Sequence, residues 1–206
     1  RHPASLISSA FGDILVENVS SDCAVSTIES DACLSGFVGI VGRNYNEDVN
    51  YCNITFKNCV FTGSLTHTNN PMRNNCGGNF VGWKSYRNTN ITIHNCLAAP
   101  KSISESSSFA PFVRHDSGSR NGIEINNGYY LNNIDIYNYT AQGLAKSSEE
   151  MAKGEICYLL NSGQEKQVWG QTIGSDALPV LTDDTNKGVY MVTFTVGGQV
   201  AKRFIS

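Results

Sequence analysis

The sequence predicts an all-β protein: a short right-handed parallel β-helix, a solenoid of about four coils, with a C-terminal capping helix and hairpin. Three observations lead to this prediction. Only 16% of the 206 residues are charged, and abundant Asn, Ser, Thr and Gly favour strands and tight corners. One short segment recurs at intervals of about forty residues. Within each copy apolar and polar residues alternate, which is typical of half-buried strands.

The recurring segment is clearest as Asn53–Cys59, Asn-Ile-Thr-Phe-Lys-Asn-Cys. It returns as Asn90–Cys96, and more loosely as Asn133–Tyr139 and Asp13–Val19. The sixth residue of each copy is asparagine, and an apolar or aromatic side chain, or a cysteine, follows it directly. Asparagine tolerates the left-handed backbone conformation better than most residues. We therefore expect the chain to turn a corner at Asn18, Asn58, Asn95 and Asn138.

Two apolar columns run through these copies. We expect the side chains within each column to contact one another across neighbouring coils, because stacked strands lie about 4.8 Å apart. A second marker, a Phe-Val pair, precedes three of the asparagines at residues 37–38, 80–81 and 112–113. Each coil would thus hold a Phe-Val strand, an Ile-x-Ile strand and a short third strand such as 60–63. A β-sandwich is the alternative, but it does not require this period. The columns are Ile14, Ile54, Ile91 and Ile134, and Val16, Phe56, Ile93 and Ile136.

Gly36–Gly39 (Gly-Phe-Val-Gly) and Asn79–Gly82 resemble the GLUG motif, a short repeat of bacterial surface adhesins and IgA-protease-type proteins. Residues 154–161 followed by 169–179 resemble the segment that often closes GLUG arrays in gut Bacteroidetes and Firmicutes. The copy with Pro111 and Arg114 departs from the pattern, because glycines would be expected there. The resemblance implies an exported cell-surface protein and carries no catalytic residues.

The C-terminal third predicts other elements. Ser147 and Glu150 form a capping-box pattern before Met151, Cys157 and Leu160, which predicts a helix that ends near Gly163. We expect this helix and the Trp169 segment to cover the open edge of the last coil. Residues 188–196 and 199–204, separated by two glycines, predict a hairpin. The hairpin resembles the opening of internalin-type B repeats, which would make the chain a fragment, or the end of a type IX sorting domain. The predicted domains are 1–143, 144–180 and 181–206.

The sequence does not predict an enzyme. HExxH, GxSxG, P-loop and GxGxxG patterns are absent. His115-Asp-Ser-Gly118 is interpreted as a turn, because consecutive side chains of an extended segment point to opposite sides. Residues 44–50 resemble the start of a calcium loop, but Val49 stands where glycine is needed and Thr55 where the bidentate glutamate belongs. We therefore predict no catalytic residue, metal ligand or cofactor.

Two functions stay open: a surface adhesin or structural binding module, and a carbohydrate-binding or carbohydrate-processing protein like the lyases and glycosidases built on parallel β-helices. Trp83 and Tyr86 could form an aromatic platform for a sugar, or could simply pack under a loop. A host or glycan ligand is expected. Nucleic acid is not, because the net charge is -3 without a basic cluster. No apolar run approaches the roughly 20 residues of a membrane span.

We expect an extracellular, cell-surface location and a monomer or part of a longer chain. Because the first residue is Arg1, we interpret the chain as a mature or excised piece.

The seven cysteines are odd in number and form no CxxC motif, so we predict mainly buried thiols. That includes Cys59 and Cys96, although the two should stack on each other. Four sequons begin at Asn18, Asn53, Asn90 and Asn138, and we interpret them as products of the repeated pattern.

Overall fold

The computed structural model describes residues 2–29, 32–42, 51–67, 76–85, 89–104, 108–115, 121–133 and 142–206. The chain is mostly β, as predicted, and also contains two short α-helices. It divides into two compact units, Arg1–Leu144 and Ala145–Ser206. None of the helices in the described residues has the length and hydrophobicity that a membrane span requires.

The strands of the first unit group into four successive layers along the chain. Layer 1 contains β1 (Ile7–Ala10), β2 (Gly12–Glu17), β3 (Ser20–Ser21) and β4 (Ala24–Thr27). Layer 2 contains β5 (Cys33–Ser35), β6 (Val38–Val41), β7 (Cys52–Lys57), β8 (Val60–Phe61) and β9 (Ser64–His67). Layer 3 contains β10 (Cys76–Gly78), β11 (Val81–Lys84), β12 (Thr89–Ala98) and β13 (Ser102–Ile103). Layer 4 contains β14 (Ser108–Ala110), β15 (Val113–His115) and β16 (Ile123–Leu131). Strand β17 (Leu144–Lys146) lies at the boundary between the units.

Four parallel sheets join these layers in chain order. The sheets run β1–β6–β11–β15, β5–β10–β14, β2–β7–β12–β16 and β4–β9–β13, and the short β3 and β8 pair beside the third. The sequence predicted three strands in each repeat. The third of them, at 60–63, corresponds to β8 beside the third sheet, so the second and fourth sheets were missed. All strand pairs given for this unit are parallel, whereas a β-sandwich pairs mainly antiparallel strands.

The sheet β2–β7–β12–β16, called the main sheet below, contains the Ile-x-Ile columns. Ile54 pairs in register with Ile14 and Ile91, as predicted. The fourth member is Ile123, not Ile134, and Ile125 rather than Ile136 continues the second column. The prediction was wrong because Asn133–Tyr139 matches the segment more literally, whereas residues 122–128 keep only the spacing of its apolar residues and corner asparagine. Residues 134–141, which include Ile134, Ile136 and Asn138, lie outside the described residues.

The asparagine corners are confirmed at three of the four predicted positions. Asn18, Asn58 and Asn95 have φ of 57°, 51° and 52°, and the fourth described corner is Asn127 with φ 56°. This is the left-handed region that asparagine tolerates better than other side-chain-bearing residues. Asn127 donates to Oδ1 of Asn95 over 2.7 Å, so the corners are linked between layers. The corner therefore follows the strand register and not the literal sequence match.

The Phe-Val markers form the aromatic part of the core. The ring of Phe80 lies 4.8 Å from that of Phe37 and 5.1 Å from that of Phe112, and all three side chains are fully buried. The glycines that follow two of these pairs are required by close approach. A Cβ at Gly39 would lie 2.0 Å from the carbonyl oxygen of His2, and one at Gly82 would lie 2.7 Å from that of Gly39.

The second unit contains α1 (Ser148–Met151), α2 (Glu155–Asn161), β18 (Trp169–Gly170), β19 (Val180–Leu181), a 3₁₀ turn (Thr185–Lys187), β20 (Tyr190–Val196) and β21 (Gln199–Ile205). Ser147 and Glu150 form the predicted capping box. The single predicted helix is wrong, because Gly154 with φ 86° divides it in two. The predicted hairpin is confirmed as β20–β21, with positive φ at both turn glycines. Tyr158 of α2 contacts Phe204 of β21, with ring centroids 5.6 Å apart.

Candidate functional site

Trp83, one of the two predicted ligand-binding residues, lies in β11 and is half-buried. The guanidinium carbon of Arg114, from the neighbouring strand β15, lies 3.5 Å from the centroid of the Trp83 ring. The imidazole of His2 lies 6.4 Å from the same ring at an interplanar angle of 35°. A cation this close to an indole face is attracted by the ring quadrupole. Trp83 is therefore the aromatic centre of a small polar cluster, and the guanidinium covers one of its ring faces.

Two further basic side chains belong to the same pair of strands. Lys84 pairs in register with His115 on β15. Lys84 is fully buried, and burial lowers the pKa of its ammonium group below the ordinary value of 10.5. His115 and Arg114 are half-buried. The strands β11 and β15 thus carry three basic residues and no Asp or Glu. Since consecutive side chains of a strand point to opposite faces, Lys84 and His115 do not share the face of Trp83 and Arg114. We call Trp83, Arg114 and His2 the Trp83 cluster.

Tyr86, the second predicted ligand-binding residue, lies outside the described residues, so the two-ring platform stays a prediction. The same holds for the calcium-like segment 44–50 and for Asp116, Ser117 and Gly118 of the serine-protease-like segment. Among the described residues, no group of three or more His, Cys, Asp or Glu side chains could hold a metal ion.

The outward face of the main sheet carries a hydrogen-bonded ladder of side chains. Asn90 donates from its amide nitrogen to Oδ1 of Asn53 over 2.9 Å, and Asn53 donates to Oδ1 of Asp13 over 2.7 Å. On the same face Lys57 forms an ion pair with Glu17, with Nζ 2.7 Å from Oε1. The predicted sequons at Asn53 and Asn90 therefore coincide with the ladder. These polar groups are already engaged with one another across the layers.

The carboxylates of this face are far apart. Asp13 and Glu17 stand four residues apart on one strand, roughly 13 Å at about 3.3 Å per residue. Glu124 lies on β16, three strands away from β2, which is roughly 14 Å at 4.8 Å per strand. Glycosidases need two carboxyl groups about 5–10 Å apart. The described acids of this sheet face do not provide such a pair.

Six cysteines are free thiols: Cys23, Cys33, Cys52, Cys59, Cys96 and Cys157. Cys59 and Cys96 stack as predicted, because the backbone N–H of Cys59 donates to Sγ of Cys96 over 3.4 Å. Burial raises the pKa of Cys96 well above its ordinary value, that of Cys52 to about 11 and that of Cys157 to about 12. Thiols with raised pKa values are protonated at neutral pH and make poor nucleophiles. Cys23 is exposed.

Sequence reasoning identified Trp83 but missed the residues around it. Arg114 was noted only as a departure from the Phe-Val-Gly pattern, and this departure was the available signal. Glycine stands at the equivalent positions 39 and 82, so among these three positions it is Arg114 that places a long cation beside Trp83. Lys84 and His115 gave no sequence signal of their own.

No protein-family model matches the chain, and no curated protein matches it. Among solved structures, the chain is similar to the crystal structure of a "putative immunoglobulin A1 protease" from Bacteroides ovatus, at 14% sequence identity and a TM-score of 0.39. The match covers 87% of this chain and 74% of that chain. A similarity at this level transfers neither fold nor function, so the function is argued from the residues of this chain alone.

Proposed function

We propose that this chain is a non-enzymatic module of a bacterial cell-surface protein, acting as an adhesin or structural binding module. In this proposal residues 1–143 form a short right-handed parallel β-helix of GLUG-like repeats. The in-register pairing of four layers in the same order supports it, because neighbouring turns of a parallel β-helix pair in this way. Such a stack is a rigid support for a surface site, which suits recognition outside the cell.

The Trp83 cluster is the proposed ligand site, and the stacking of Arg114 on Trp83 is the observation that carries it. With one ring face covered, Trp83 would offer a sugar its other face or its edge. The guanidinium of Arg114 places a positive charge beside the ring, and a guanidinium donates charge-assisted hydrogen bonds to carboxylate and sulfate groups. We therefore expect an acidic glycan to bind better than a neutral one.

A glycan array with the purified protein tests this proposal. Trp83→Ala and, separately, Arg114→Ala should reduce binding to acidic glycans. Tyr51→Ala is the matched control, because Tyr51 is also an exposed aromatic residue (45% exposed) but precedes the main sheet instead of the Trp83 cluster. Circular dichroism should show that all three variants fold. Equal loss in Tyr51→Ala, or unchanged binding in Trp83→Ala, would refute the site.

The second candidate is a carbohydrate-processing β-helix protein. It is the weaker candidate because the described acids of the main sheet face are too far apart for glycosidase chemistry, and Glu17 is already paired with Lys57. A reducing-sugar assay on the array ligands separates the two. Release of reducing ends by wild type would favour the enzyme.

A further inference from the structure

Exposed large apolar side chains are concentrated at two places in the described residues. Of the twelve such residues, four lie in layer 1 and five lie in the β20–β21 hairpin, here called the ribbon. Isolated exposed apolar residues are ordinary, but clusters mark binding surfaces. The layer 1 residues are Leu6, Phe11, Leu15 and Ile28. The ribbon residues are Tyr190, Phe194, Val196, Val200 and Ile205.

Within the described residues, both surfaces also contain strand edges that pair with no further strand. In the main sheet β2 is the terminal strand, with β7 as its neighbour on one side. The ribbon is a two-stranded sheet, so β20 pairs with β21 on one side only. Such edges are templates for adding another strand.

The two surfaces carry opposite charge. Residues 2–29, which include all of layer 1, contain four acids and neither Lys nor Arg: Asp13, Glu17, Asp22 and Glu29. Residues 190–205, which form the ribbon, contain Lys202 and Arg203 and no acid. Each surface would be repelled by a copy of itself and attracted by the other. This favours a head-to-tail contact over a symmetric one.

Strand β20 also has the side-chain pattern of the main sheet. Its Val192-Thr193-Phe194 matches Ile54-Thr55-Phe56 of β7, the strand that pairs with β2. If β20 paired with β2 in parallel and in that register, Val192 and Phe194 would continue the columns of Ile14 and Val16. Ile14 is only half-buried, whereas Ile54 and Ile91 are 1% and 0% exposed. Lys202, which is opposite Thr193 in the ribbon, would then share the outward face with Asp13 and Glu17.

We propose that β20 of one molecule pairs with β2 of a second copy, so that this protein associates head to tail. Because the two surfaces differ, the contact is heterologous, and a molecule bound through its ribbon still carries its own β2 edge for a further copy. This inference goes beyond the proposed ligand site and departs from the monomer expected from the sequence. It concerns residues outside the Trp83 cluster, so either idea can fail without the other.

Thiol cross-linking tests the pairing, because in-register thiols of parallel strands rarely reach disulfide geometry. In a Cys23→Ser background, which removes the exposed Cys23 thiol, Leu15→Cys and Thr193→Cys are made in two separate chains that differ in tag length. Both positions are exposed and are neighbours in the proposed register. Mixed with a short bifunctional maleimide, the two chains should form a cross-linked heterodimer. Leu15→Cys mixed with Glu165→Cys, an exposed residue outside the ribbon, is the control and should give only background.

Sedimentation velocity over a concentration series supplies the second measurement. Wild type should form species larger than dimers as the concentration rises, and added salt should weaken them. Lys202→Glu with Arg203→Glu should weaken association by about tenfold or more, whereas Lys166→Glu should not. A monomer at every concentration would overturn the proposal and leave the two surfaces to other proteins. Association without the Leu15–Thr193 cross-link would overturn the strand pairing.

Discussion

Asn58 donates from its side-chain amide to Oδ1 of Asn18 over 3.0 Å, and both residues have a left-handed backbone. The same residue type thus meets two demands at the corner. It adopts a positive φ with little strain, and its amide is both donor and acceptor, so it can link one layer to the next. Asn58 is only 2% exposed, so this bond is made away from water.

Replacing Asn58 separates the two roles. Asn58→Ala loses the hydrogen bond and keeps a side chain at positive φ, so the free energy of unfolding should fall by about 2–3 kcal/mol. Asn58→Gly loses only the bond and relieves the strain, so it should cost about 1 kcal/mol less. Urea denaturation followed by circular dichroism measures both. Equal losses would mean that the backbone conformation does not matter.

The Ile columns predict a strong effect at Ile91, which is fully buried between Ile54 and Ile123. Ile91→Asp would bury a carboxylate without a partner in this apolar column and should cost more than about 3 kcal/mol, enough to prevent folding. Ile91→Val is the control and should cost about 0.5–1.5 kcal/mol. Soluble yield and denaturant midpoints distinguish them. A folded, stable Ile91→Asp protein would show that position 91 is not inside the stack.

Gly154 divides the predicted helix, and alanine there should be destabilising despite its helix propensity. The added Cβ would lie 2.5 Å from Cδ1 of Ile173, at φ 86°. Gly163→Ala is a matched control, with φ 77° and nothing within 4 Å. Both variants share the backbone strain of a side chain at positive φ. Gly154→Ala should therefore lower the free energy of unfolding by about 1 kcal/mol more than Gly163→Ala does. Thermal melts of the two variants, compared with wild type, test this difference.

The buried thiol of Cys157 should make the folded protein less stable in alkaline solution. Its folded pKa is about 12 against an ordinary 9.0, because burial disfavours the thiolate. Below pH 9 the thiol is protonated in both the folded and the unfolded protein, and its full contribution to stability is present. As the pH rises from 9 toward 12 the unfolded protein loses this proton first, so the free energy of unfolding falls by up to about 1.4 kcal/mol per pH unit. In Cys157→Ala the free energy of unfolding should fall less steeply between pH 9 and 11. Cys23→Ala, at an exposed thiol, should keep the wild-type slope.

Cys59 and Cys96 predict a simple result in mass spectrometry. Alkylation of the unfolded protein without reductant should modify both thiols. In the folded protein Cys23 should react quickly, whereas Cys33, Cys52, Cys59, Cys96 and Cys157 should react slowly because they are buried. A peptide pair linked through Cys59 and Cys96 would contradict the free thiols of the structure.

The sequence predicted the elements whose signal is local. Alternation placed Ile54 and Ile91 in one column, and the backbone tolerance of asparagine placed the corners at Asn58 and Asn95. The sequence placed the fourth copy at 133–139, where the residues match most literally. The structure places it at 122–128, because packing sets the register and tolerates Gly122 and Gly128 at the two ends of that segment. The two missed sheets, β5–β10–β14 and β4–β9–β13, have strands of only two to four residues, too short for alternation to show.

The candidate site was less predictable than the fold. Trp83 stood out by residue type, but its contact with Arg114 joins two layers and depends on which strands become neighbours. A local sequence pattern does not indicate which residue of another layer becomes a neighbour. The same is true of Lys84, whose burial follows from the strands around it and not from its own sequence context.

The ladder Asn90–Asn53–Asp13 has a direction. Each amide points its donor end toward layer 1, so the two dipoles add, and the carboxylate of Asp13 lies at their positive end. An anion is stabilised there for the same reason as at the N-terminus of a helix. A carboxylate accepts hydrogen bonds but has no proton to donate, so the series of hydrogen bonds ends at Asp13. One aspartate in place of asparagine thus gives an otherwise periodic stack a chemically distinct first layer.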